Sequence, residues 1–271
     1  MMRPALRRIW GLMYRHLALY RRSWPRLLEL AYWPILQMFI WGFTASFLAS
    51  RAGARLSGGA GIAVATLLGG VLLWEVALRS QMGFAVSFLE ELWSRNLGHL
   101  FVSPLRPWEM VAALIGMSVI RMLTGVVPAI ALAFLLYAYN LFTLGPILVV
   151  FFANLMLMGW WVALCVVSLI LRHGMGAESL AWSVLFGLTP FSAVFYPVAV
   201  LPAVLRPVSL ALPSAHVFEG MRAIVYQGVI RWDHLAWAFG LNAVWAVAAI
   251  GVFTAQFRAA RVRGALLSIG E

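Results

Sequence analysis

The side chains in this sequence that are able to hold a metal ion are widely scattered. The five histidines are His16, His99, His173, His216 and His234. Metal sites in proteins bring three or four such ligands together, usually at short and regular spacings along the chain. No such spacing occurs here, and the single cysteine, Cys165, lies inside an apolar stretch. The sequence therefore predicts no metal site.

Nucleotide chemistry is excluded by residue type. A phosphate-binding P-loop places a lysine after its glycines, so that the ammonium group reaches the β- and γ-phosphates. The chain contains no lysine. No serine lies in a GxSxG turn, and no pair of carboxylates within the apolar stretches resembles an aspartyl protease. The sequence predicts a protein that is not an enzyme, has no catalytic residue and binds no cofactor itself.

Four charged side chains lie in or beside apolar stretches, where burial in lipid is too costly to keep without a role. They are Glu75, Arg79, Arg121 and Glu178. Glu75 and Arg121 fall in consecutive stretches, and we expect them to pair and to fix the packing of two helices. The alternative is that each side chain extends along its own helix to the nearer membrane surface.

Membrane helices must position these residues. The chain is 63% hydrophobic and 11% charged, whereas a soluble domain is roughly 45–50% apolar and about 25% charged. Long apolar stretches recur from residue 30 onward, so lipid is the natural solvent for most of the surface. The sequence predicts an all-α polytopic membrane protein with a single membrane domain over residues 1–271.

The net charge of +11 would suggest nucleic acid as the partner of a soluble protein. Here the arginines cluster in the N-terminal segment, the centre and the C-terminal tail, as expected where loops face anionic lipid. The predicted partner is therefore the lipid bilayer, and no nucleic acid. Most arginines outside the apolar stretches fall on the side of the N-terminus, so both termini are predicted to be cytoplasmic.

Six stretches approach the roughly 20 residues that a helix needs to cross about 30 Å of hydrocarbon. The predicted spans are residues 30–50, 61–84, 111–137, 146–171, 180–200 and 235–257. No cleavable signal peptide is expected before them, because arginines interrupt the N-terminus before a long apolar core can form.

Residues 1–28 are predicted to form an amphipathic helix before the first span. Its apolar residues recur every three or four positions and so share one face; they are Leu6, Ile9, Trp10, Met13, Leu17, Tyr20 and Trp24. The opposite face carries Arg8, Arg15, Arg22 and Arg26. We expect this helix to lie in the membrane interface with its apolar side in lipid and its guanidinium groups toward the lipid phosphates. The alternative is a helix packed on a partner protein.

Two predicted connections are longer than turns. Residues 85–110 place apolar side chains at helical spacing among charged ones, and Pro104 and Pro107 end the pattern. A cytoplasmic amphipathic helix is predicted there. Residues 196–232 contain several prolines, which interrupt a continuous span although the segment stays partly apolar. Outer re-entrant helices are predicted for this segment.

The first connection, EELWSRNLGHLFVSPLRPWE at residues 90–109, resembles the ABC-2 type family of transporter permeases. That family has an acidic residue, Arg, Gly and Leu there, then Val-Ser/Ala-Pro and a second Pro and Glu. The matching positions are Glu91, Arg95, Gly98, Leu100, Val102, Ser103, Pro104, Pro107 and Glu109. The second connection resembles the family's outer segment over residues 195–228, where Pro213, Glu219 and Arg222 match its closing Pro, Glu and Arg.

The resemblance implies a dimer of permeases, expected here to be a homodimer, joined to separate ABC ATPase subunits that bind ATP and Mg²⁺. It implies that residues 90–102 seat in a groove of each ATPase. The ATPase-coupling residues that it implies are Glu90, Glu91, Leu92, Trp93, Arg95, Leu97, Gly98, Phe101 and Pro104.

The resemblance also implies that the outer segment closes the path between the two subunits. The outer gate residues that it implies are Tyr196, Pro197, Pro202, Pro213, Phe218, Glu219 and Arg222. Glu219 and Arg222 are three apart on a predicted helix and are expected to pair.

The expected function is export of an amphipathic, lipid-linked or drug-like substrate across a bacterial cytoplasmic (inner) membrane, with ATP hydrolysed by a separate subunit. The residues leave two alternatives open. One is an ion-coupled secondary transporter or channel, and the other is a membrane scaffold that transports nothing or an intramembrane enzyme. No sugar- or haem-specific motif narrows the choice of substrate.

Overall fold

The computed structural model describes residues 2–22, 24–52 and 59–262, and all regular structure within them is helical. The helices are α1 (Met2–Arg22), α2 (Trp24–Ala52), α3 (Gly59–Trp93), α4 (Leu97–Val102), α5 (Pro107–Tyr137), α6 (Ile147–His173), α7 (Leu180–Leu188), α8 (Arg206–Leu210), α9 (Pro213–Gln227) and α10 (Trp232–Val262). Short 3₁₀ turns occupy Leu141–Leu144, Gly174–Ala177, Thr189–Phe191 and Val198–Val200.

Helix α3 forms the centre of the bundle and packs against α2, α5 and α6. Every residue from 71 to 80 is buried, because this stretch is largely apolar on all sides and such a helix is stable only when it is surrounded. The rings of Phe84 and Phe88 are buried further along the same helix. Helix α6 lies against α3 and also contacts α9 and α10.

Two glycines allow α3, α5 and α6 to approach closely. A Cβ atom at Gly83 of α3 would lie 2.9 Å from the Cα of Ser118 on α5. A Cβ atom at Gly159 of α6 would lie 2.8 Å from the carbonyl oxygen of Ala77 on α3. Close backbone contact through small residues is the usual basis of helix packing in lipid, because no hydrophobic effect drives helices together there.

Four described helices are long and apolar enough to cross a membrane, namely Gly61–Trp93, Pro107–Tyr137, Ile147–Ala177 and Trp232–Val262. They cover the predicted spans at 61–84, 111–137, 146–171 and 235–257. Helix α2 covers the predicted span at 30–50, has 29 residues and packs on α3 and α5. Its tryptophans, tyrosine and glutamine make it less apolar than those four helices, so its crossing stays a prediction.

The predicted span at 180–200 is wrong as a single helix. Helix α7 ends at Leu188, and a 3₁₀ turn carries the chain to Phe191. Nine helical residues cover about 14 Å, which is half of the roughly 30 Å of hydrocarbon. Pro190 stops the helix and Pro197 holds the following chain extended, since proline cannot donate the backbone hydrogen bond that a helix needs.

The prediction of a separate cytoplasmic helix within residues 85–110 is wrong for the first part of that segment. Helix α3 runs unbroken through this connection to Trp93, and only the short α4 follows it. A turn at residues 94–96 separates the two helices, and Arg95 adopts a left-handed conformation there with φ of 53°. We call residues 94–106 the inner loop and the end of the bundle that holds it the inner end.

Helix α1 packs on α5 and α2 at the inner end. Leu12, His16 and Tyr20 are buried, whereas Leu6 and Trp10 are exposed. The predicted apolar face is therefore divided, with part of it packed on the protein and part of it turned outward. The predicted location in the membrane interface stays a prediction.

The arginines of α1 have partners other than the expected ones. Arg8 and Arg15 were expected to face lipid phosphates, but they bind acidic residues of α5 and α3. Partners within the protein thus replace the predicted partners in the lipid. The side chains of Arg22, Trp24 and Arg26 lie outside those that the structure describes.

Candidate functional site

One ion pair ties α1 to the start of α5, just after the inner loop. Arg8 Nε donates to Glu109 Oε2 at 2.8 Å, and Glu109 is fully buried. The same carboxylate accepts the backbone N–H of Arg106 at 2.9 Å and so caps the first turn of α5. The hydrogen bond to Glu109 raises the pKa of the Arg8 guanidinium, so the pair stays charged.

A second group of contacts ties α1 to the end of α3, just before the inner loop. Arg15 binds the buried carboxylate of Glu91, and Asn96 Nδ2 donates to Glu91 Oε2 at 2.7 Å. The buried ring of His16 bridges both acidic residues, with Nδ1 3.1 Å from Glu90 Oε2 and Nε2 3.2 Å from Glu91 Oε1. We call these contacts and the Arg8–Glu109 pair the α1 clamps.

Arg121 joins this cluster from α5. Its Nη2 donates to Glu90 Oε2 at 2.8 Å, and its guanidinium lies 4.9 Å from the centre of the Tyr20 ring. The predicted pair of Glu75 with Arg121 is therefore wrong. Glu75 lies four turns before Glu90 on α3 and accepts from Arg79 Nε at 3.0 Å instead, because a partner four residues away on the same helix is always within reach.

The predicted coupling residues separate into two groups. Glu90, Glu91, Leu92 and Leu97 are turned into the protein, and Glu91 has its charged partner in Arg15. Because Glu91 is also only 2% exposed, its carboxylate is directed away from the surface on which another subunit would lie.

The other coupling residues face outward. Trp93, Arg95 and Pro104 are exposed, and Gly98 is half-buried. The side chain of Phe101 lies outside those that the structure describes. His99 and Trp108, which the resemblance did not single out, are exposed beside them. The inner loop, together with Trp93 and Trp108 on either side of it, therefore presents an aromatic and basic surface.

A cavity of about 650 Å³ opens between α2, α3 and α7 above the α1 clamps. Its lining includes Tyr20, Glu90 and Arg121 at the inner end, and Trp33, Arg79 and Trp182 further along. A second cavity, of about 380 Å³, continues toward the opposite end, which we call the outer end. The two cavities share Gln37, Glu75, Leu78 and Phe186. Together they form one groove along the bundle.

Aromatic side chains shape the outer part of the groove. The rings of Trp41 and Phe195 stack with their centres 4.3 Å apart. Tyr196 also lines the groove, and its hydroxyl donates to the carbonyl oxygen of Pro190 at 2.7 Å. Phe218 is fully buried and packs near Trp74 instead. Phe218 was predicted to belong to the gate, but it packs behind the groove and does not line it.

Helix α9 holds the outer segment through backbone contacts. Arg222 binds the carbonyl oxygen of Ala193 and donates to that of Tyr196 at 2.6 Å. Glu219 Oε1 accepts the backbone N–H of Val198 at 2.7 Å. The predicted pair of Glu219 with Arg222 is replaced by these contacts, because the chain at 193–198 passes over α9 and offers unpaired backbone groups.

The prolines of the outer segment take different positions. Pro213 is buried at the first position of α9, where the missing N–H costs nothing. Pro197 and Pro202 are exposed. The segment is built from short helices, as predicted, while its entry into the membrane stays a prediction.

Sequence reasoning missed the α1 clamps. A signal was present, since Arg8 and Arg15 are seven residues apart and therefore share a helix face. Acidic residues also flank the inner loop on both sides, at Glu90 and Glu91 before it and at Glu109 after it. A helix with two arginines on one face and a loop bracketed by carboxylates are complementary, but nothing local indicates that they meet.

Residues 7–226 match the protein family described as ABC-2 type transporter. The match begins beside Arg8 and runs through the inner loop, the groove and almost all of α9. No curated protein matches the chain. With most of its length matched and four helices able to cross a membrane, the chain belongs to the ABC-2 type transporter family and is a membrane-spanning permease that works with an ABC ATPase subunit.

Proposed function

We propose that this permease is the membrane subunit of an exporter that moves an amphipathic substrate out of the cytoplasm. Two identical copies of the chain assemble with two ATPase subunits, which bind ATP and Mg²⁺. The inner end faces the cytoplasm of a bacterial cell and the outer end faces away from it. The alternative is transport driven by an ion gradient alone, which needs groups along the path that are free to titrate. Among the described residues, Glu75 and Glu90 in the groove are each bound to an arginine, which does not favour that alternative.

The continuity of α3 carries this proposal. One unbroken helix links Glu75, which lines both parts of the groove, to Trp93 at the edge of the inner loop. The two residues are separated by about 27 Å of helix. A helix of this kind transmits displacement without stretching, so a push on the inner loop moves the wall of the groove.

The α1 clamps make the inner loop a rigid element in this scheme. Helix α1 is bound to α3 before the loop and to α5 after it. A force applied to the loop therefore moves α3, α5 and α1 together, and the loop itself cannot absorb it. The exposed surface at Trp93, Arg95 and His99 is the contact for the ATPase, while Glu90 and Glu91 hold the loop from inside.

The outer segment acts as the gate of the groove. Tyr196 and Phe195 line the outer part of the groove, and Arg222 holds the backbone beneath them. Release of the Arg222 contacts would let the segment move away from Trp41, and the groove would open toward the outer end.

The proposal is tested by purifying the chain with its ATPase subunit and measuring composition by native mass spectrometry and ATP hydrolysis. We expect two copies of each subunit. Arg95→Glu should abolish co-purification and hydrolysis, because it reverses the charge of an exposed residue on the proposed contact. Arg51→Glu is the matched control, since Arg51 is also exposed but lies at the outer end of α2.

Three outcomes would contradict the proposal. A complex that keeps full ATP hydrolysis with Arg95→Glu would show that the inner loop is not the contact. An equal loss with Arg51→Glu in a protein that keeps its thermal midpoint would show that the contact is not specific to the inner loop. Substrate movement in inverted vesicles that needs only a proton gradient would favour an ion-coupled carrier.

A further inference from the structure

The middle of the groove exposes hydrogen-bond donors that have no partner among the described residues. Arg79 uses only Nε, which donates to Glu75 Oε2 at 3.0 Å. No described residue accepts from its two terminal nitrogens, and these atoms are not sealed from solvent. An arginine held through Nε presents its far edge as a fork, and that fork matches two oxygens of a carboxylate or a phosphate.

Gln37 adds donors on the facing helix. Its Oε1 accepts from the indole Nε1 of Trp41 at 2.9 Å. An indole nitrogen can only donate, so the amide oxygen of Gln37 must face it and the amide nitrogen is left over. Gln37 lines both parts of the groove, as Glu75 does. Among the described residues that line the groove at this depth, the free groups therefore include the N–H groups of Arg79 and Gln37 and one oxygen of Glu75.

This excess of donors lies far from either end of α3. Arg79 is 14 residues before the last residue of the helix, or about 21 Å along it. A charged group at such depth is costly in a membrane and marks a functional site when it faces a cavity. Water can satisfy the Arg79 fork while the groove is empty, but a ligand that displaces the water must supply acceptor oxygens.

The walls around these donors are apolar and aromatic. Trp33 and Phe186 line the same part of the groove from α2 and α7, so the apolar part of a ligand has a surface to contact. At the depth of Arg79 a cationic headgroup would meet one oxygen of Glu75 and would lie beside the Arg79 guanidinium, which repels it. The other carboxylates that line the cavity, Glu29 and Glu90, lie nearer its inner end. An anionic headgroup meets the donors directly.

We propose that the groove binds an amphiphile with an anionic headgroup, a phosphate or a carboxylate, whose oxygens accept hydrogen bonds from Arg79 and Gln37. Glu75 is the positioning residue that holds Arg79 in place. The inference rests on the proposed function only in taking the groove as the path of the substrate. It narrows that substrate from amphipathic molecules in general to anionic ones.

The test uses three C18 alkyl chains that carry two bromine atoms and differ only in headgroup, which is phosphate, trimethylammonium or a neutral alcohol. Bromine quenches tryptophan on contact, and Trp33 and Trp182 line the groove. Each amphiphile is titrated into the purified full chain in a neutral detergent, and the alcohol gives the background from partition into micelles. We expect the phosphate to bind at least about tenfold more tightly than the trimethylammonium, as charge-assisted hydrogen bonds imply.

Substitutions test whether the preference for phosphate arises in the groove. Arg79→Gln should erase the preference for phosphate. Glu75→Gln keeps an oxygen that can accept from Arg79 Nε and removes the negative charge, so it should increase the preference for phosphate. This variant tests the proposal if Arg79→Gln fails to fold, because a preference that falls would contradict it. Arg172→Gln is the matched control because Arg172 is exposed at the end of α6, and it should leave binding unchanged.

Equal binding of phosphate and trimethylammonium, or a preference that survives Arg79→Gln, would overturn the inference. Competition by inorganic phosphate alone distinguishes a phosphate headgroup of an amphiphile from free phosphate. Strong competition would mean that the site takes free phosphate and needs no apolar chain, which would also overturn it. If the ATPase subunit co-purifies but no preference is seen, only this inference fails. If the preference is seen without an ATPase partner, only the proposed function fails.

Discussion

Arginine side chains in this protein replace backbone partners where the chain leaves regular structure. Arg222 is 6% exposed and satisfies the carbonyl oxygens of Ala193 and Tyr196, which lie in irregular chain. A buried carbonyl without a donor would be costly. Arg222 thus holds the outer segment from below together with Glu219, and the stability of the segment depends in part on Arg222.

Arg222→Gln should lower the free energy of unfolding by roughly 3 kcal/mol, because about two charge-assisted hydrogen bonds are lost. Thermal unfolding of the purified chain, followed by tryptophan fluorescence, measures the loss. Arg206→Gln is the matched control, since Arg206 also donates to backbone carbonyls of the outer segment, those of Leu201 and Ala199, but is itself exposed. An equal effect of both variants would show that burial of Arg222 is not the cause.

The Arg8–Glu109 pair is open to a charge-exchange experiment. Arg8→Glu alone places two carboxylates together and should weaken the contact between α1 and α5, and Glu109→Arg alone should do the same with two guanidinium groups. The double variant restores opposite charges and should recover the thermal midpoint in large part. Recovery is expected to be incomplete, because Glu109 also caps the backbone N–H of Arg106. No recovery at all would contradict the pairing.

Helices α3 and α6 owe their close contact to glycine. A Cβ atom at Gly159 would meet Ala77 O, Ser80 Cβ and the backbone nitrogen of Gln81, all within 2.9 Å. Backbone atoms cannot move aside as a flexible side chain can, so an added methyl group must push the two helices apart. The contact therefore sets the position of the groove wall on α3 as well as the stability of the bundle.

Gly159→Ala should lower the free energy of unfolding by about 1 to 3 kcal/mol, which is the usual cost of overpacking. Gly240→Ala serves as the control, because a Cβ atom at Gly240 meets nothing within 4 Å. That variant should leave stability unchanged or raise it by up to about 1 kcal/mol through helix propensity. Thermal midpoints of both variants in the same detergent give the comparison. A stable Gly159→Ala protein would mean that α3 and α6 adjust without cost.

At the scale of the whole molecule, α1 and the end of α10 lie at the inner end with the inner loop. The orientation predicted from the arginines places this end in the cytoplasm. His99 in α4 and Ala203 in the outer segment are both exposed and mark the two ends of the bundle.

Single-cysteine labelling tests the orientation. With Cys165→Ser as background, Ala203→Cys should react with a membrane-impermeant maleimide in intact cells, and His99→Cys should react only after the membrane is opened. The physical reason is that the reagent cannot cross the bilayer. The reverse pattern would show that the protein is inserted the other way round.

The amino-acid sequence by itself determined the class of this protein. Its apolar stretches predicted the four described helices that are able to cross a membrane. A helix in lipid satisfies its own backbone hydrogen bonds, so length and composition are enough to identify it. The inner loop and the outer segment, through motifs such as those around Arg95 and Glu219, indicated the transporter family. These features are local, so they can be read from neighbouring residues.

Only the tertiary structure decided which charged groups meet. Arg121 binds Glu90 and not Glu75, Arg15 binds Glu91, and Arg222 binds backbone carbonyls of the outer segment. A carboxylate is attracted to every arginine in the chain, and Coulomb attraction alone does not choose among them. The choice is made by helix packing, which brings one guanidinium within hydrogen-bond distance and holds the others away. For the same reason the groove, to which α1, α2, α3, α5 and α7 all contribute, has no signature in the sequence of any one of them.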